Sequence, residues 1–189
     1  METGVILLAA GGSRRLGQPK QLLPCGHGTL LRRAALTAVE SGLGPVVVVL
    51  GAFEAECRQT LAGVPVRIVV NQDWQAGMGS SISTGMKACS GEPLQGVLIM
   101  LCDQPGVTPS LLRRLWEHQR ITGSEIAASR YSGTLGPPVL FMPPLFSRLC
   151  SLEGDAGAKS LFAGAKHVES VDFPEGAFDI DTAGDLEWF

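Results

Sequence analysis

Four short runs, at residues 5–10, 46–50, 66–70 and 97–102, are apolar almost without interruption and rich in Val, Ile and Leu. A strand with one wet face alternates apolar and polar side chains, so runs like these are expected where a parallel sheet is covered on both faces. Such a sheet needs helices above and below it, and the segments between the runs supply them.

Thr29 can cap a helix in which Leu30, Leu31, Ala34, Ala35, Ala38 and Val39 share a face, with Gly42 following as a stop. Residues 54–61 and 80–89 predict two more helices. Thr108 with Pro109 predicts a fourth, facing the core with Leu111, Leu112, Leu115 and Trp116. Strand and helix alternate to about residue 120, which predicts an α/β fold. Beyond it, residues 126–130 and 139–142 read as strands, "GPP" and "MPP" read as breaks, and residues 156–162 resume a helix. A last strand is expected at 168–171, then a terminal helix capped by Thr182 and supported by Asp185. With no repeat and no linker-like stretch, the reading is one domain over residues 1–189.

Apolar residues make up 45% of the chain and charged residues 17%, with a formal net charge of -3. That balance argues against nucleic acid as a partner. Cys25, Cys57, Cys89, Cys102 and Cys150 are scattered and show no metal-ligand spacing, so free thiols in a reducing compartment are expected. His27, His118 and His167 show none either. "METGVILLAAGG" carries an acid where a signal peptide needs positive charge, and its apolar run is too short to span a membrane. A cytoplasmic protein with no membrane partner is the expectation.

The first run leads into "LLAAGGSRRLGQPKQLLP", a glycine-rich loop bearing Arg14, Arg15 and Lys20. Gly11, Gly12 and Gly17 lack the GxGxxG spacing of a dinucleotide fingerprint. A Walker loop fails as well, because Gln18 stands where its lysine should be. The remaining reading is a loop whose backbone N–H groups and cations face a triphosphate.

Leu8, Ala10, Gly11, Ser13, Arg15, Gly17, Pro19 and Lys20 stand at the positions of LxAGxSxRxGxPK, and the loop resembles this signature of nucleotidyltransferases with the nucleotide-diphospho-sugar transferase fold. "NQDWQAGMGSSISTGM", "LCDQPGVTPSLL", "GPPVLF", "GDAGAK" and "DIDTAGDL" extend the resemblance, in order, to the MobA-like and MocA-like branch that acts on molybdenum cofactor. The resemblance implies a three-layer α/β/α Rossmann-like fold with a mostly parallel central sheet. It also implies transfer of a nucleoside monophosphate from a triphosphate to the terminal phosphate of a molybdopterin-type cofactor, with release of pyrophosphate.

By the same resemblance Arg15 and Lys20 neutralise the phosphates, and Leu8, Ala9, Ala10, Gly11, Gly12 and Ser13 form the nucleotide-binding wall. Asp103, at the end of an apolar strand where α/β sheets bind ligands, is implied as a catalytic acid and Mg2+ ligand. Asp181 is the second implied metal ligand, with Asp179 beside it. Gly79 and Ser80 are implied to touch the base, with Ser81 beside them in the nucleotide site, and Asn71 and Gln72 are weaker candidates. Ala10 resembles the cytidylyl branch, which implies CTP; the guanylyl branch tends to carry glycine there.

Two departures fall on the acceptor side. Pro137 stands where the pattern has a histidine, and Lys159 stands for an arginine, losing its bidentate fork. Guanylyl transfer, another phosphate acceptor, or a non-catalytic carrier serving a molybdoenzyme or its chaperone therefore remain alternatives. Cys102 reads as a packed small residue and not as a nucleophile.

Overall fold

The computed structural model of the chain describes residues 2–13, 16–155 and 157–178. Arg15, Asp179, Asp181, the Thr182-capped helix and Ala156 lie outside them.

The four apolar runs form parallel neighbours. β1 (Thr3–Ala9) lies between β4 (Val46–Leu50) and β6 (Gly96–Leu101), and β5 (Arg67–Val70) pairs with β4. Every residue of β1 and β4 is buried, as two covered faces require. Successive side chains divide between the faces. Val5, Leu7, Val46, Val48 and Leu98 pack on one side with α1 (Leu30–Glu40), α2 (Glu54–Thr60) and α4 (Pro109–Thr122). Ile6, Leu8, Val47, Val49 and Ile99 pack on the other with α3 (Met78–Ala88) and α5 (Phe146–Cys150). The three-layer α/β/α fold with a mostly parallel sheet is thereby confirmed.

Helix ends follow local chemistry. Thr29 and Thr108 accept bonds from the N–H groups of Arg32 and Leu111, each at 3.2 Å, which caps α1 and α4. Among the described residues the sheet runs β5-β4-β1-β6-β8-β7-β9, where β7 is Ile126–Tyr131, β8 is Thr134–Phe141 and β9 is Val168–Asp172. Only β8 runs against its neighbours there. A two-stranded hairpin, β2 (Pro24–Cys25) with β3 (Gly28–Thr29), stands apart and was not expected.

Three expectations need correction. The "GPP" stretch does not break the chain but lies within β8, which begins five residues before the expected 139. The pairing with β7 jumps from Ala128↔Val139 to Ser129↔Gly136, so Pro137 and Pro138, which lack N–H donors, sit in the irregularity. The Ser129 hydroxyl donates to the Pro138 carbonyl at 2.8 Å and closes that gap. The segment 158–164 is a 3-10 helix and not an α-helix, with the Ser160 hydroxyl bonded back to the Gly157 carbonyl. α3 starts at Met78, two residues before Ser80.

The cysteines are free, as expected. Burial, and secondarily the charge of Glu56, pushes the Cys57 thiol up to about 11, from an ordinary value near 9. The unfolded chain thus ionises this thiol first as pH rises, so stability is lost between about pH 9 and pH 11 and the loss levels off above. Denaturant melts across that window should show the decline, and Cys57→Ser should flatten it. Among the described residues, no helix is long and apolar enough to cross a membrane.

Candidate active site

The chain leaves β1 towards β4 on one side and reaches β6 on the other, so the strand order reverses between β1 and β6. Ligands of open α/β sheets bind at such a point, beyond the carboxyl ends of the strands. A cavity of about 410 Å³ lies there, walled by the glycine-rich loop, by Asp103 at the end of β6 and by the start of α3.

The loop is held from beneath by Gln21, whose side chain is buried. Its amide donates to the carbonyls of Ala9 at 3.0 Å and Gly11 at 2.6 Å. Ser13 has a positive φ of 48°, and its hydroxyl oxygen accepts the Lys20 N–H at 3.0 Å, closing the loop on itself. The acceptors in these bonds are two carbonyls and one hydroxyl. Among the described residues no hydrogen bond uses the N–H groups of Gly11, Gly12 or Ser13, all of which belong to the cavity wall. Gly12 lies flat against Trp74, so that a Cβ there would stand 2.9 Å from the indole ring. Gln21→Ala should release both carbonyls and cost about 1–2 kcal/mol of stability, read by thermal melts.

Lys20 and Asp103, separated by 83 positions, meet at the cavity wall: Lys20 Nζ is 2.5 Å from Asp103 Oδ2, with side chains 17% and 13% exposed. The other carboxylate oxygen, Asp103 Oδ1, is buried and has no partner among the described residues. A divalent cation is a fitting partner for that oxygen, being a hard ion that takes carboxylate ligands. Among the described residues no cluster of three metal-ligating side chains is present, so phosphate oxygens and residues outside this set would have to complete a shell.

The other expected residues divide. Leu8, Ala9, Ala10 and Ser81 belong to the cavity wall with the loop. Asn71, Gly79 and Ser80 do not. The Asn71 amide donates to the hydroxyls of Ser80 at 2.8 Å and Ser81 at 3.0 Å. Gly79 donates its N–H to the Gly154 carbonyl at 2.8 Å, and a Cβ there would stand 2.6 Å from the Glu153 carbonyl oxygen. Gly79 thus fixes the start of α3 against the 153–154 backbone, while Asn71 and Ser80 tie it to the end of β5 and the 73–77 turn. Cys102 borders the cavity, and burial holds its thiol far above the ordinary range, which leaves it no thiolate for nucleophilic attack at neutral pH.

Several wall residues were not anticipated: Trp74, Gln75, Met78 and Asp155. The fragments "DWQAGM" and "GDAG" mark their neighbourhoods, but only the fold brings the two loops together. Pro137 and Lys159 line a second cavity of about 220 Å³ next to the first.

The MobA-like NTP transferase domain matches residues 5–171. The chain belongs to that nucleotidyltransferase family. Nicotine blue oxidoreductase of Paenarthrobacter nicotinovorans is 39% identical over 170 residues, covering 83% of this chain and 79% of that protein. A probable molybdenum cofactor guanylyltransferase of Pelotomaculum thermopropionicum is 34% identical, covering 71% and 60%. The molybdenum cofactor cytidylyltransferase of Escherichia coli is 24% identical, covering 96% and 92%. Rv0371c of Mycobacterium tuberculosis superposes with a TM-score of 0.85 at 31% identity, over 100% of this chain and 97% of that one, and has also been crystallised with manganese.

Proposed function

We propose that the chain transfers CMP from CTP to the terminal phosphate of a molybdopterin-type cofactor, with Mg2+ as the metal and pyrophosphate as the leaving group. The observation that carries the reading is that one cavity is lined both by Gly11, Gly12 and Ser13, whose N–H groups have no hydrogen bond among the described residues, and by the Lys20–Asp103 pair. In phosphoryl and nucleotidyl transfer the charge gathers on phosphate oxygens, and fixed dipoles and cations aimed there are the catalyst.

In this reading Lys20 leaves Asp103 for the triphosphate, and the loop N–H groups cradle the departing phosphates, with Arg15 as a second cation. Asp103, through its unpartnered oxygen, and Asp181 would hold Mg2+, which supplies charge neutralisation between phosphates. Ala10, 5% exposed and part of the wall, narrows the base end by a methyl group relative to glycine and so favours a pyrimidine. A recipient molybdoenzyme or its chaperone is the natural consumer of the product.

A second reading, a redox enzyme using the same cavity, is favoured by the name of the 39% identical relative. Pyrophosphate release decides between them. The protein with molybdopterin cofactor and Mg2+ should release pyrophosphate from CTP at least tenfold faster than from GTP, ATP or UTP. Preference for GTP would move it to guanylyl transfer. Oxidation of NADH or NADPH with no pyrophosphate from any triphosphate would establish the redox reading.

A further inference from the structure

Among the described residues the Asp103 carboxylate bonds only to Lys20, and in the transfer reading that lysine turns to the triphosphate. The place of the acid then depends on the loop that follows β6. Within that loop the Val107 N–H donates to the Gln104 carbonyl at 3.2 Å, and two further contacts reach it from far along the chain.

The first runs through Gln104, the neighbour of Asp103, which is 5% exposed. Its amide donates to the Tyr131 hydroxyl at 3.4 Å, a long bond of the kind a buried amide still needs. Tyr131 closes β7. Its ring meets Phe173 edge-on, with centroids 6.1 Å apart and planes at 86°, and a Cβ on Gly176 would stand 2.5 Å from it. Gly136 in β8 leaves no room for a Cβ beneath the hydroxyl. The ring is thus wedged between β8 and the 173–176 segment. That segment is tied to the end of β7, the Phe173 N–H donating to the Arg130 carbonyl at 2.9 Å. The second contact is direct: a Cβ on Gly106 would stand 2.8 Å from the Glu175 Cβ. Tyr131 lines neither the triphosphate cavity nor the second one, so its influence on the reaction has to pass through its neighbours.

We propose that Tyr131 is a positioning residue, which through Gln104 holds Asp103 in place for a divalent cation, with the 173–176 segment as its backing. The proposal rests on the reading that Asp103 ligates the metal. Groups that orient a metal ligand change metal affinity about tenfold to a hundredfold when they are lost. The ring packs the same way in phenylalanine, so the hydroxyl is what Tyr131→Phe removes.

The probe is Mn2+, titrated into the full chain without nucleotide and counted as the free ion by electron paramagnetic resonance. The parent should bind it saturably and Asp103→Asn should not. Tyr131→Phe should bind it about tenfold more weakly with Tm within a few degrees of the parent, and Gln104→Leu likewise. The double variant should bind no more weakly than either single one, because both break one link. Gly106→Ala, which presses the loop away from Glu175, should weaken binding while leaving that link intact. Tyr131 is the only tyrosine in the chain, so 3-fluorotyrosine gives one fluorine signal, which Mg2+ should shift in the parent and not in Asp103→Asn. If Gly106→Ala does not fold, the fluorine signal and the double variant still decide. A parent that binds no Mn2+, or Asp103→Asn that binds it equally well, would overturn the metal reading and the proposal together. Loss of binding in Asp103→Asn beside parent-like affinity in Tyr131→Phe, additive effects in the double variant, or a fluorine signal that Mg2+ leaves unmoved would overturn the proposal alone.

Discussion

Asp103→Asn is expected to lower metal-dependent pyrophosphate release at least a thousandfold while the fold survives. The substitution is nearly isosteric, and its site at the end of β6 lies outside the packed layers. Lys20 keeps an oxygen acceptor at the same place. What disappears is the negative charge that a divalent ion needs, including that on Oδ1, which has no partner among the described residues. The expected signature is therefore a large fall in kcat with Tm within a few degrees of the parent, and weaker Mg2+ binding in the presence of CTP. Normal magnesium-dependent turnover by the variant would remove Asp103 from the metal site.

Lys20→Met should cost about a hundredfold to a thousandfold in kcat/KM, the usual effect of removing one preorganised charge from a transfer site. Its structural effect runs the opposite way to that of Asp103→Asn. Removing Lys20 leaves the Asp103 carboxylate, 13% exposed, without its ion-pair partner in the free protein, and about 1–3 kcal/mol of stability should go with it. Mg2+ supplied without nucleotide should restore part of that stability, because a cation can then take the vacated place. Thermal melts with and without the metal, alongside steady-state kinetics, read both effects. If Lys20→Met is fully active, the cation that matters lies elsewhere in the loop.

The central strands were legible because burial on both faces leaves no alternation to misread, and 46–50 was placed to the residue. β8 was not, because Pro137 and Pro138 are ordinarily strand breakers and their tolerance here depends on a jump in register against β7. α5 is a five-residue helix with too few turns to show a period. At the site, Lys20 and Asp103 could each be named from the sequence, but their ion pair bridges 83 positions and is a product of the parallel pairing of β1 with β6. Gln21 and Trp74 act by supporting other atoms, one the loop carbonyls and the other the face of Gly12. Nothing in their spacing signals that. Gly79 was expected to face the nucleotide because it opens a helix after a strand, yet its N–H is taken by Gly154, a residue 75 positions away.

The most direct measurement is the fate of labelled phosphorus. With CTP labelled at the α-phosphate, molybdopterin cofactor and Mg2+, the label should appear in a dinucleotide product, while label at the γ-phosphate should appear in pyrophosphate. Transfer of the γ-label to the cofactor, or retention of the α-label in CTP while the cofactor is turned over, would contradict nucleotidyl transfer at this site.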